Sequence, residues 1–117
     1  MAQDQMAVLK ARLRQFAAVR DWEQFHSPKN LAMALVAEAG ELVAHFQWLE
    51  GAQSAALNPD KRNAVAQEMA DVLIYLVRLA DKLDVDLWQA ATAKMDLNEQ
   101  RYPADLVRGS AAKYDEY

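Results

Sequence analysis

Apolar residues recur along the chain at three- and four-residue intervals, the repeat of a helix that buries one face. Met6, Leu9, Leu13 and Phe16 set the first such stripe, Lys10, Arg12 and Arg14 fall elsewhere, and the pattern predicts a helix over residues 4–19. Residues 20–25 read as a connection. The words "SPKN" and "NPDK" each open a further helix: Ser27 and Asn58 can accept orphan N–H bonds as N-caps, while Pro28 and Pro59 take the first helical position, where no donor is lost. The second helix is expected to reach about residue 50 with Gly51 as C-cap, and the third about residue 83. Asp86 is the expected N-cap of a fourth, with Gln89 as capping-box partner, and that helix should reach Tyr102 before Pro103. No period-two segment or internal repeat competes, so the pattern predicts an all-α, four-helix bundle in one domain, residues 1–117, with residues 103–117 as a C-terminal arm. That tail carries Arg108 and Lys113 and little apolar patterning, and reads either as a frayed terminus or as a lid over an anionic ligand.

Two helices carry carboxylates where an amphipathic helix does not need them. In the second, Leu31, Leu35, Leu42, Phe46 and Leu49 form the buried stripe, and Glu38, Glu41 and His45 of "EAGELVAHFQW" border it instead of opposing it. In the third, "EMADVLIYLVRLADKL" places Glu68 and Asp71 at the same spacing, with Tyr75 following on the same flank. Apolar residues cover nearly every direction of this helix, which predicts a central position or a subunit interface, hence an oligomer. Asp71 lies inside its most apolar section with no basic residue four positions away, and a charge in that setting needs a partner.

If the second and third helices are antiparallel neighbours, Glu38, Glu41, Glu68 and Asp71 converge across a groove. Their mutual repulsion would raise one or more pKa values, and a hard divalent cation would relieve it. Carboxylates with water suit Mg²⁺, or Mn²⁺. The chain has no cysteine, which removes thiolate zinc and disulfides, and its two histidines, His26 and His45, do not supply the paired Glu-x-x-His motifs of a ferritin-like di-iron bundle.

The composition, 53% hydrophobic and 26% charged with three glycines and three prolines, agrees with a compact helical domain. A formal charge of -4 offers no general positive field for a nucleic-acid polymer. The strongest apolar run, "VLIYLV" at residues 72–77, is too short to cross a bilayer and continues into Arg78. With no signal-like N-terminus and no cysteine, the expected location is the cytoplasm, without a membrane partner.

A carboxylate-held Mg²⁺ without a thiol, a Ser-His pair or a Gly-rich loop points to hydrolysis of a phosphoanhydride by water. A second polar cluster in "KMDLNEQRYP" fits a phosphate-bearing ligand: Lys94 and Arg101 can contact phosphate, Asn98 can read sugar or base edges, and Asp96 and Tyr102 complete the set. Trp22, Phe25, His26 and Trp48 offer stacking surface, and Lys29 and Asn30 are further polar candidates near a helix start. Each feature has an ordinary alternative, respectively a solvated last helix, simple packing and helix-end solvation. A non-catalytic helical interaction protein with an acidic seam is the competing class.

The combination of "WEQFHSPKNLAMAL", "EAGELVAHFQW", "EMADVLIYLV", "KMDLNEQRYP" and "SAAKYDEY" resembles the MazG-like all-alpha nucleoside triphosphate pyrophosphohydrolase superfamily, most closely its dCTP pyrophosphatase branch. The paired Glu-x-x-Glu and Glu-x-x-Asp of that family fall on Glu38, Glu41, Glu68 and Asp71. The resemblance implies a homodimer or homotetramer and Mg²⁺-dependent cleavage of a nucleoside triphosphate to monophosphate and pyrophosphate, with dCTP or a modified dCTP as substrate. A broader dNTP or oxidised-nucleotide specificity is its alternative. It also implies nucleoside-pocket roles for Trp22, His26, Trp48, Tyr75 and Asn98, and polar or phosphate contacts for Lys94 and Arg101; Asp96 matches the branch motif.

Overall fold

The computed structural model describes residues 4–111, and every regular element among them is helical. Asp4 caps helix α1, Gln5–Val19, by accepting from the backbone N–H groups of Met6 and Ala7. Ser27 caps α2, Pro28–Ala44, through Asn30 N–H at 3.1 Å, and Asn58 caps α4, Pro59–Lys82, through Lys61 N–H at 2.8 Å. Asp86 caps α5, Leu87–Arg101, through Gln89 N–H at 3.0 Å. These starts were legible because each is a local bargain between one side chain and the backbone three residues on.

The end of α2 was not legible. The helix stops at Ala44 instead of near residue 50, because the backbone tightens into i→i−3 bonds from His45 to Leu42 (3.2 Å) and from Phe46 to Val43 (2.9 Å). Glu50 then begins a one-turn helix α3, Gly51–Ser54, in a capping box whose Gln53 side chain accepts from Glu50 N–H at 2.9 Å. Gly51 therefore opens a helix and is not a C-cap. A second short helix, α6, covers Ala104–Val107 in the predicted arm, and residues 112–117, which include Lys113, lie outside the described residues.

The predicted connection is a turn with defined geometry. Asp21 adopts φ 54°, Trp22 N–H reaches back to Ala17 O at 2.9 Å and Asp21 N–H to Ala18 O at 3.2 Å, the paired bonds of a Schellman motif built on aspartate instead of glycine. A 3₁₀ turn, Glu23–Phe25, follows. Trp22 and His26 are thereby held at the two ends of one short, hydrogen-bonded segment.

The chain divides into two compact units, residues 1–84 and 85–117. In the first, α4 packs along α2 and also receives α1. The pairing of α2 with α4 is antiparallel: His26, at the start of α2, meets Arg78 near the end of α4, whereas His45, just past the end of α2, lies 3.9 Å from Glu68 in the first half of α4. Ala17, Leu31, Val65, Val77 and Ala80 are buried. Leu31 is 1% exposed, and truncation to Ala is expected to cost about 2–5 kcal/mol in urea unfolding, the usual range for a core leucine. The second unit comprises α5 and α6.

Candidate metal centre

The antiparallel pairing brings the acidic words together. Glu38 and Glu41 stand one turn apart on α2, Glu68 comes from α4, and carboxylate oxygens of these three lie within 4.8 Å of one another. Asp71 is one turn beyond Glu68 and close enough for its charge to act on Glu38, although it is outside the tight triad. Glu38 and Glu68 are partly buried and Glu41 is exposed. Desolvation, followed by repulsion from Glu41 and Asp71, pushes the Glu38 carboxyl up to about 7.

This arrangement fits a hard divalent cation. The Oε2 atoms of Glu38 and Glu68 are buried and make no hydrogen bond to the described residues, which leave two inward acceptor oxygens without a donor. A donor set made only of carboxylate oxygens matches Mg²⁺ or Mn²⁺ chemistry. His45 stands at the rim of the cluster, its Nε2 3.9 Å from Glu68 Oε1, which is too long for a hydrogen bond.

A second polar group occupies the other end of the α2 and α4 pair. Arg78, 4% exposed, donates from Nε to His26 Nδ1 at 3.2 Å, from Nη1 to Asp81 Oδ2 at 3.4 Å and from Nη2 to Glu23 Oε1. Lys82 Nζ also donates to Glu23, and Arg14 grips Asp81 with bonds of 2.7 and 2.5 Å. The Arg14 guanidinium holds the Asp81 carboxyl below its ordinary value, and the Lys82 and Arg78 hydrogen bonds do the same for Glu23. Burial, then the Arg78 charge, lowers the pKa of His26. Glu23 and His26 do form one Glu-x-x-His spacing, and the structure turns both toward Arg78. The sequence pattern puts His26 in the nucleotide set and assigns no role to Arg78, Glu23 or Asp81. The spacing of Arg78, Asp81 and Lys82 on one helix was the available signal, but their partners lie 52 to 67 residues away along the chain.

The other candidates sort by position. Trp22 meets His26 edge-on at 6.5 Å and Phe16 at 5.6 Å, with Arg20 3.7 Å over the Phe16 ring. Tyr75 is partly buried on α4, one turn beyond Asp71. Trp48 is 86% exposed in the turns after α2. Asn30 supports the helix start, its side chain donating to Phe25 O at 3.0 Å, while Lys29 and Phe25 are exposed. Lys94, Asn98 and Arg101 share one face of α5 by helical spacing, Asp96 lies on the opposite side, and Tyr102 is the C-cap.

The sequence matches the MazG-like family over residues 33–116, a span that contains all four predicted metal ligands. The chain belongs to the MazG-like family. It is 56% identical to dCTP pyrophosphatase 1 of Rattus norvegicus over 102 residues, 86% of this chain and 60% of that relative. To the protein of the same name from Homo sapiens it is 52% identical over 104 residues, 87% of this chain and 61% of the relative. This MazG-like chain thus spans about three-fifths of the length of the curated relatives it matches. A pyrophosphatase from Archaeoglobus fulgidus, known from a crystal structure, superposes with a TM-score of 0.82 at 36% identity, covering 88% of this chain and 96% of that one. The helical bundle is therefore the MazG-like fold, and no helix among the described residues is long and apolar enough to cross a membrane.

Proposed function

We propose that this MazG-like chain hydrolyses dCTP, or a modified dCTP, to the nucleoside monophosphate and pyrophosphate with Mg²⁺ as cofactor and Mn²⁺ as a substitute. The observation that carries the reading is the triad of Glu38, Glu41 and Glu68, with two buried carboxylate oxygens to which the described residues offer no donor. Similarity to proteins named dCTP pyrophosphatase 1 supplies the substrate class.

Glu38, Glu41, Glu68 and Asp71 hold the metal in this reading. When bound, Mg²⁺ supplies positive charge that offsets the triphosphate and polarises its oxygens. Glu41, the exposed member of the triad, or Glu38 accepts the proton of the attacking water in this reading. Water oxygen adds to the alpha phosphorus, the bond from that phosphorus to the bridging oxygen breaks, and pyrophosphate leaves. Trp22, His26, Trp48 and Tyr75 are nucleoside contacts in this reading, with Lys29 and Asn30 as polar groups of the first unit; on α5, Asn98 is assigned to the nucleoside and Lys94, Arg101, Asp96 and Tyr102 to polar or phosphate contacts, each on the strength of the family resemblance.

The chain acts as a homodimer or homotetramer of single-domain protomers in the cytoplasm, without nucleic acid or membrane partners. Exposed apolar side chains support assembly: Met33, Val36 and Val43 recur along α2, and Met69, Leu73 and Leu76 along α4, at spacings that place each set on one face.

Incubation of dCTP with Mg²⁺ is expected to give dCMP and pyrophosphate in equal amounts. Formation of dCDP and orthophosphate would overturn the cleavage position. Competitive turnover of the four dNTPs and modified cytosines tests the specificity, and uniform rates would replace dCTP selectivity by a broad housecleaning role.

A further inference from the structure

We propose that Arg78 is a positioning residue that fixes His26 as a neutral imidazole, with its proton on Nε2, so that the nucleotide pocket contains a permanent N–H donor beside Trp22. The proposal deepens the nucleotide-hydrolase reading and rests on it for its functional part.

The argument begins with what each atom can do. A guanidinium has five N–H donors and no acceptor, so the His26 Nδ1 that meets Arg78 Nε at 3.2 Å must present a lone pair. The single proton of the neutral ring then resides on Nε2. Protonating Nδ1 would set two N–H groups against each other and add a second positive charge beside a guanidinium that is 4% exposed.

Arg78 is itself held on three sides. Its Nη1 and Nη2 are engaged by Asp81 of α4 and Glu23 of the 3₁₀ turn, Asp81 is gripped by Arg14 of α1, and Glu23 is shared with Lys82 of α4. These are the charged groups around the His26 site, three cations and two anions, so the local field also opposes charging the ring. The lowered His26 pKa agrees with that sum. An imidazole confined to one tautomer offers a directed donor to a carbonyl or ring-nitrogen acceptor, the groups found on a pyrimidine edge, and it contributes no charge toward phosphate.

The test is nitrogen-15 NMR of the imidazoles in the full chain, which holds only two histidines, with a His45→Gln variant giving the assignment. In the wild-type protein His26 is expected to show an acceptor-type Nδ1 and a proton-bearing Nε2, unchanged as pH falls through the ordinary histidine range of about 6.5. Protonation of His26 near that pH, or a proton on Nδ1, would overturn the proposal. Arg78→Met removes the donor while Asp81 keeps Arg14 and Glu23 keeps Lys82, and the variant is expected to show mixed tautomers and an ordinary titration. An unchanged His26 signature in a folded Arg78→Met protein would also overturn it. With dCTP, the same variant should raise KM by about three- to tenfold, the size of one neutral hydrogen bond, with kcat within about twofold. A loss confined to kcat would overturn the donor role. If the wild-type chain turned over no nucleotide, the activity reading would fail while the tautomer assignment was still decided by the spectra.

Discussion

Glu68→Gln is expected to lower dCTP hydrolysis by at least about a hundredfold without unfolding the protein, as removal of a group that acts directly on the reacting charges typically does. The amide keeps the shape of the side chain but not its negative charge, and Glu68 is the single triad member contributed by α4. Removing charge from a cluster in which burial and neighbouring carboxylates already push Glu38 up to about 7 relieves repulsion in the metal-free protein. Its melting temperature without metal should therefore equal or exceed that of the wild type, while the rise in melting temperature on adding Mg²⁺ should disappear. Measuring turnover and the Mg²⁺-dependent melt on the same sample separates this from misfolding. Wild-type turnover in the variant would remove the triad from the metal site.

The metal-free fold should lose stability as pH rises toward neutrality, and Mg²⁺ should restore it. Glu38 titrates at 4.5 when unperturbed and at about 7 in the fold, so between those values the folded state binds more protons than the unfolded one. Stability associated with its neutral form is complete below 4.5 and is lost as pH rises through about 7. Asp81 has the opposite sign: its pKa is depressed, so its contribution is present above the ordinary carboxylate range and fades in acid. Metal-free stability should consequently pass through a maximum on the acid side of neutrality. Because a cation competes with the Glu38 proton, the gain in melting temperature from Mg²⁺ should be larger at about pH 8 than at about pH 5. Melts with EDTA and with excess Mg²⁺ across that range provide the check. An equal Mg²⁺ effect at both ends would contradict protonation of the cluster.

The two polar groups of the α2 and α4 pair were not equally visible before the fold was known. The acidic words are short, each contained in one helical turn, so their spacing alone placed two carboxylates on one side of α2 and two on one side of α4. Convergence needed only an antiparallel pairing, which the short connector expected between about residue 50 and Asn58 made natural. What the spacing could not rank was the four carboxylates. The fold draws Glu38, Glu41 and Glu68 into one cluster and leaves Asp71 acting from just beyond it. The Arg78 group was invisible for a different reason. Glu23, His26, Arg78, Asp81 and Arg14 come from α1, the 3₁₀ turn and α4, and no local pattern encodes that meeting.

The starts of the four long helices, the apolar stripes, the acidic pairs and the family can be read from the residues alone, because each is written in residues within one or two turns of one another, or in words specific enough to be matched directly. Where α2 ends, which carboxylates converge and the burial of Arg78 against His26 emerge only in the folded chain. Those outcomes depend on competition between local capping and distant packing, and on charges that meet only after the chain has folded back along itself.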